Sequence, residues 1–214
     1  MAFYDACIRI FAGFFRGVYR IEVIGEENLP SEDCAFLVCS NHGSAADPIV
    51  LGAALKRKIH YLAKEELFRI PLLNSLIRAF GAIPIKRGTG DVGALKAVIR
   101  ALGEQKTVGV FPQGHRYPGV DPRSTPAKSG IGMILLRTGV SAVPVCVETK
   151  AKKVHLFRKT RVIIGAPMSG EQLLLPAPQE NTPHSVQYQT VADGVFSEIC
   201  ALGETHTLSE GTKA

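Results

Sequence analysis

Ala35-Phe36-Leu37-Val38-Cys39-Ser40-Asn41-His42-Gly43-Ser44-Ala45-Ala46-Asp47-Pro48 is the stretch on which the fold turns. The unbroken apolar run over 35–39 reads as a buried strand. Asp47 followed by Pro48 reads as a helix start, with Asp at the N-cap and Pro at the first helical position. Along one continuous helix, positions 42 and 47 would stand about 140° apart in azimuth, so they would not meet. A turn between strand and helix instead lets the imidazole and the carboxylate approach each other. Such a pair makes a base suited to activating a hydroxyl. The other reading is structural: Asp47 caps the helix over 48–56, and His42 is a turn residue.

Working outward, the same alternation continues. Residues 58–63 read as a second strand, followed by Lys64-Glu65-Glu66-Leu67-Phe68 and a helix from Pro71 to Phe80 that Gly81 ends. Ala82-Ile83-Pro84-Ile85 is a short extended piece, and Asp91 caps a helix with apolar residues at 94, 95, 98, 99 and 102. Thr107-Val108-Gly109-Val110-Phe111 is a buried strand ending in the turn Pro112-Gln113-Gly114-His115-Arg116. A helix around 129–138, strands at 141–148 and 160–164, and an amphipathic helix over 184–202 complete the pattern. This predicts an α/β fold: a mixed, largely parallel sheet flanked by helices, preceded by an N-terminal amphipathic helix. In such sheets, sites form in loops beyond the carboxyl ends of strands. Three polar turns occupy such positions: Asn41–Asp47, Lys86-Arg87-Gly88 and Gln113–Arg116. Two arginines beside a His/Asp pair suit an anionic substrate, because guanidinium forks bind phosphate bidentately.

At 214 residues the chain suits one domain, or a domain with a small appendage. Its net charge of +6 favours anionic partners such as phosphates, coenzyme A, acidic lipid or nucleic acid. No uncharged apolar run approaches the ~20 residues that span a bilayer. Arg9 and Arg16 interrupt the first apolar stretch, so no signal peptide is expected. The five cysteines lack CxxC spacing, and Cys39 and Cys146 lie inside apolar runs, as reduced core thiols do in the cytosol. On a helical wheel, Asp5, Arg9, Arg16 and Arg20 fall within about 60° of one another. Phe3, Ile8, Ile10, Phe11, Phe14, Phe15, Val18 and Tyr19 fill the remaining arc. This fits either a helix lying in a membrane interface or one docked on the protein's own core. Nucleic acid is not expected as a partner, since the aromatics cluster in that helix rather than interleave with a basic patch. The Gly-x-Ser-x-Gly elbow of serine hydrolases, the P-loop and the zinc spacings are absent, which disfavours Ser44 as a nucleophile.

Taken in order, the blocks resemble the glycerophospholipid acyltransferases typified by 1-acylglycerol-3-phosphate acyltransferase. Asn41–Pro48 resembles that family's His-x4-Asp block, and Ala63–Phe68 with Ile70-Pro71 its connector. Gly81–Gly88 is similar to the second block and Phe111–Arg116 to the third, usually Phe-Pro-Glu-Gly-Thr-Arg. Val140–Val145 and Ile164-Gly165-Ala166-Pro167 resemble later elements. Gln113 and His115 depart from the family pattern, where glutamate and threonine are usual.

The resemblance implies that a fatty acyl group passes from a thioester to the free hydroxyl of lysophosphatidic acid. His42 would be the general base and Asp47 its orienting acid. Arg87 and Arg116, with Lys86, Gln113 and Gly114, would hold the acceptor. Backbone N–H groups at the start of the helix after Asp47, or near Gly114, would stabilise the oxyanion. No metal or bound cofactor is implied; acyl-CoA or acyl-acyl carrier protein would serve as donor substrate. The expected organisation is a membrane-interface helix over 1–20, an acyltransferase domain over 21–202 and a polar disordered tail over 203–214. The expected location is peripheral, on the cytoplasmic face of a membrane with an anionic surface. Another lysophospholipid or a glycolipid acceptor is the alternative, motivated by Gln113 and His115; a non-catalytic lipid-binding role is the more distant one.

Overall fold

A computed structural model describes residues 11–71, 74, 77, 78, 81–85, 92–179 and 181–210, with side chains as far as 204. Seven strands form one sheet: β1 (Ile21–Ile24), β2 (Phe36–Ser40), β3 (His60–Lys64), β4 (Ile83–Ile85), β5 (Val108–Val110), β6 (Ser141–Glu148) and β7 (Thr160–Ile164). Their order across the sheet is β1-β7-β6-β2-β5-β3-β4. Every neighbouring pair is parallel except β6 and β7, which run antiparallel. The expected largely parallel sheet is therefore the one observed. Helices α1 (residues 11–18), α2 (Asp47–Leu55), α3 (Val92–Gly103), α4 (Gly130–Thr138) and α5 (His184–Glu210) flank it.

Both faces of the sheet are covered, as parallel strands require. Alternation along β2 shows the division: Phe36 and Val38 join one apolar cluster with Val50, Leu51 and Leu55 of α2. Leu37 and Cys39 join the other, with Val98 of α3, Leu135 of α4 and Val195 and Ile199 of α5. Burial pushes the Cys146 thiol up to about 12 and raises Cys39 further. Cys34, Cys39, Cys146 and Cys200 are all free thiols.

Three expectations need correction. First, α1 divides between its two readings: Phe15, Val18 and Tyr19 pack on the α2 cluster, while Phe14 is 62% exposed. Arg16 leaves the proposed basic stripe altogether. Its Nε donates to Ala53 O at 3.1 Å and its Nη2 to Ala54 O at 2.7 Å, covering carbonyls at the C-terminus of α2. Residues 1–10, including Asp5 and Arg9, lie outside the described residues.

Second, α5 runs to Glu210, past the expected stop at 202, so the tail over 203–210 is helical. Gly203, just past the expected stop, marks a close approach: a Cβ there would stand 3.2 Å from Cys146 Sγ. Residues 211–214 lie outside the described residues. Third, β1 occupies a segment to which no strand was assigned. It extends the sheet by pairing in register with β7, Ile21 against Thr160 through Ile24 against Ile163.

Of the helix expected over 71–80, positions 71, 74, 77 and 78 are described: Pro71 lies in a turn and the other three are helical. Gly81, at φ +74°, ends it by donating to Arg78 O at 2.9 Å.

Candidate active site

β2 and β5 are adjacent, and their following helices leave to opposite faces: α2 to one side, α4 to the other. The crevice beyond their carboxyl ends is where an open α/β sheet places ligands. The turns carrying His42 and Gln113 both end there.

The His42 turn is fastened from three directions. Asn41 continues the β2–β6 ladder with its side chain: Nδ2 donates to Val147 O at 3.0 Å, and Val147 N–H donates to Oδ1 at 2.8 Å. His42 itself is held through its backbone by the turn after β5. Its N–H donates to Gln113 Oε1 at 2.6 Å, and its carbonyl accepts from Tyr117 N–H at 2.8 Å. The imidazole stacks on Phe111, with centroids 3.8 Å apart and planes 11° from parallel, and Phe111 stacks in turn on Tyr61.

Asp47 is 1% exposed and meets His42 as the spacing suggested: Nδ1 lies 2.8 Å from Oδ2. The same oxygen accepts from Gly43 N–H at 2.9 Å and Ser44 N–H at 2.8 Å. A carboxylate oxygen already accepting two amides acts as an acceptor toward the ring as well. Nδ1 therefore carries the proton, and Nε2 presents its lone pair. Asp47 does not cap its helix. Ala46 occupies the N-cap position without a side-chain hydrogen bond, and the carboxylate faces back into the turn. Ser44 Oγ is spent within that turn, accepting from Ala46 N–H at 3.2 Å.

The third block separates into an inward and an outward part. Gln113, 1% exposed, points inward: beyond its bond to His42, its Nε2 donates to Thr125 Oγ1 at 2.7 Å. Thr125 spends its one proton on Pro122 O at 2.6 Å. Gly114, at φ +69°, turns the chain outward so that His115 and Arg116 are exposed. Arg116 has no hydrogen-bond or ion-pair partner among the described residues. Lys86 and Arg87 lie outside the described residues.

Of the groups expected to supply an oxyanion donor, those at the start of α2 are already engaged, and near Gly114 only some are. Gly114 N–H donates to Phe111 O, and the first N–H groups of α2 bond within their own turn. The His115 and Arg116 N–H groups, next along the same turn, donate to nothing among the described residues.

Beside His42 lies a cavity of about 330 Å³ with one apolar wall from Val120, Cys146 and Ile199. Its rim carries Arg123, which donates to Asp121 and, at 2.6 Å, to Glu204 on the unexpected extension of α5. The Arg123 guanidinium holds the Asp121 carboxyl down to about 2.

Asn41, Tyr117, Phe111 and Thr125 were not singled out from the sequence. Asn at the end of a buried strand is a signal for Asn41; nothing in the sequence connects Thr125 with Gln113.

A family profile described as Acyltransferase matches residues 20–148, the span that holds His42, Asp47, Gln113 and Thr125. The chain belongs to the acyltransferase family. It is an acyltransferase. It is 32% identical over 151 residues to the 1-acyl-sn-glycerol-3-phosphate acyltransferase of Bacillus subtilis, covering 69% of this chain and 73% of that protein. The chloroplastic enzyme of that name, LPAT1, from Arabidopsis thaliana is 30% identical, with 72% of this chain and 45% of that protein covered. Among solved structures, the 1-acyl-sn-glycerophosphate acyltransferase PlsC of Thermotoga maritima aligns with a TM-score of 0.61 at 26% identity, covering 91% of this chain and 79% of that one.

Proposed function

We propose that this acyltransferase moves a fatty acyl group from a thioester to the free hydroxyl of lysophosphatidic acid, giving phosphatidic acid. The observation that carries the reading is the 2.8 Å contact of His42 Nδ1 with Asp47 Oδ2, which leaves Nε2 as the ring nitrogen available to a hydroxyl in the cavity that His42 lines. The names of the relatives support the acceptor.

Nε2 takes the proton of the acceptor hydroxyl as its oxygen attacks the thioester carbonyl, and Asp47 stabilises the imidazolium that forms. The tetrahedral intermediate collapses with loss of the thiolate, which takes the proton from the imidazolium. No residue is acylated. The unused N–H groups of His115 and Arg116 are candidate oxyanion donors. The mixed lining of the cavity suits the thioester end of acyl-CoA or acyl-acyl carrier protein. Arg116, unpartnered and exposed, would hold the acceptor phosphate with Arg87 and Lys86. Peripheral attachment to an anionic bilayer accompanies this reading; no helix of the described residues is long and apolar enough to cross a membrane.

The deciding experiment supplies both thioester donors against lysophosphatidic acid and headgroup-bearing lysolipids, and follows thiol release. Turnover confined to the headgroup-bearing acceptors would refute the proposed acceptor. Within the same assay, Arg116→Ala is expected to raise the KM for lysophosphatidic acid about tenfold, the loss of one charge-assisted contact of roughly 1.5 kcal/mol. An unchanged KM would remove Arg116 from the phosphate site.

Gln113 is assigned a positioning role, since its carboxamide is turned away from solvent and bridges His42 N–H to Thr125. Glutamate at 113 would set a second oxygen against a hydroxyl whose proton is already given to Pro122 O. Gln113→Glu is therefore expected to lower kcat about tenfold with acceptor KM and acceptor preference unchanged. A switch in the preferred lysolipid would instead make Gln113 an acceptor contact.

A further inference from the structure

Between Thr149 and Thr160 the β6–β7 loop reads Lys150-Ala151-Lys152-Lys153-Val154-His155-Leu156-Phe157-Arg158-Lys159, with five cationic residues and no carboxylate. It is a fixed loop. Val154 is buried in the α2 cluster, Lys152 N–H donates to Thr149 O at 3.0 Å, and Thr149 Oγ1 donates to Lys153 O at 3.0 Å. The next two apolar side chains point the other way: Leu156 is 57% exposed and Phe157 70%.

Phe157 also stands at φ +60°, a left-handed conformation that bulky residues rarely adopt. Its N–H donates to Val18 O at 2.7 Å, which ties the loop tip to the end of α1. Phe14, with its exposed ring, lies one helical turn back from Val18. Thr160 N–H donates to Arg20 O at 3.3 Å, so Arg20 adjoins the same tip. Leu156 and Phe157 at the tip, and Phe14 on the neighbouring α1, thus present exposed apolar side chains, with Arg20 and Arg158 adjoining the tip and Lys150, Lys152 and Lys153 earlier in the same loop. Lys159 is engaged with Glu22 at 3.0 Å.

The geometry points to the β6–β7 loop as a membrane-insertion element. Leu156 and Phe157 enter the acyl region of an anionic phospholipid bilayer, and the surrounding cations meet headgroup phosphates. Strongly exposed apolar side chains ringed by positive charge match the depth profile of a bilayer surface better than that of an acidic protein. The inference rests on the peripheral reading above and adds a contact site beyond the N-terminal helix. The loop also touches the catalytic turn: a Cβ on Gly43 would stand 2.6 Å from Lys152 O. Seating the tip in lipid therefore holds His42 near headgroup level, where a lysolipid hydroxyl is presented.

The chain contains no tryptophan, so Phe157→Trp introduces a single tryptophan, excited apart from the tyrosines, into the full-length protein. With vesicles rich in phosphatidylglycerol, its emission is expected to shift to the blue and to be quenched by lipids brominated in the acyl chain. An unshifted emission on vesicles that the protein nevertheless sediments with would overturn the insertion while sparing the peripheral reading. No sedimentation at all would overturn both, and a shift produced only by an acidic acyl carrier protein would overturn the lipid assignment. Phe157→Gly relieves the positive φ, so it cannot fail through backbone strain. It is expected to weaken vesicle partitioning about tenfold or more, with the unfolding midpoint unchanged or raised. Partitioning equal to that of the unsubstituted protein refutes the proposal. Turnover of short-chain lysophosphatidic acid in free solution should be the same for both proteins. Its absence in both would defeat the acyltransfer reading without touching the vesicle result.

Discussion

Replacing His42 by alanine lowers kcat by about 10²- to 10⁴-fold, the range that a positioned general base contributes. The fold should survive the change, because His42 is fastened by its backbone rather than its ring. The N–H to Gln113 and the carbonyl to Tyr117 remain in place. Asp47 Oδ2 keeps the Gly43 and Ser44 amides, so no buried carboxylate is stranded without donors. What is lost is one hydrogen bond and the face-to-face contact with Phe111, together about 1–2 kcal/mol of stability. Thiol-release kinetics at saturating acceptor, paired with thermal unfolding, test both halves. Near-normal turnover would remove His42 as the base.

The second large effect separates charge from geometry. In Asp47→Asn, the side-chain oxygen can take the place of Oδ2 and accept from Gly43 N–H, Ser44 N–H and His42 Nδ1–H together. The flipped amide would point an NH2 group at those two backbone donors, so the turn itself selects the orientation. The tautomer of His42 is then preserved, and only the negative charge opposite the imidazolium is lost. A charge-assisted bond in a buried site exceeds its neutral counterpart by roughly 2–4 kcal/mol in the transition state, so kcat should fall about 30- to 1000-fold. The KM for the acceptor should change little. Asp47→Ala, by contrast, leaves three donors unpaired and should lower the unfolding midpoint as well. Equal stability losses in the two variants would show that the flipped amide forms after all.

The parallel sheet and the meeting of His42 with Asp47 were legible because strong local signals coincide. A five-residue apolar run must be buried on both faces, and Pro48 fixes where the helix begins. The direction of the Asp47 carboxylate was not legible. An N-cap and a turn acceptor both take backbone N–H groups, and sequence does not say on which side of the residue those groups lie. β1 escaped notice because Ile21-Glu22-Val23-Ile24 follows an apolar helix with neither Gly nor Pro between; the break is Arg20, a non-glycine residue at φ +44°. The helical tail over 203–210 escaped notice for the opposite reason, since its polar residues lack the apolar periodicity that marked the helix before it. Gln113 was read as an acceptor ligand because it stands in the block that resembles the family's third, where glutamate is usual. Its partner Thr125 lies twelve positions on, beyond any local pattern.

The three bonds converging on one oxygen of Asp47 have a consequence for how this turn can vary. Residues 42, 43 and 44 each contribute a donor to it, so the stretch from 42 to 47 is a closed hydrogen-bonded circuit. The side chains at 45 and 46 take no part in that closure; Ala45 is exposed and free to differ in kind, while Ala46 is limited only by its packing on the α2 cluster. Their number is not free: one residue more or fewer would carry the carboxylate past its donors. Over this short interval the chain tolerates spelling changes and forbids a change of length, the reverse of what surface loops usually allow.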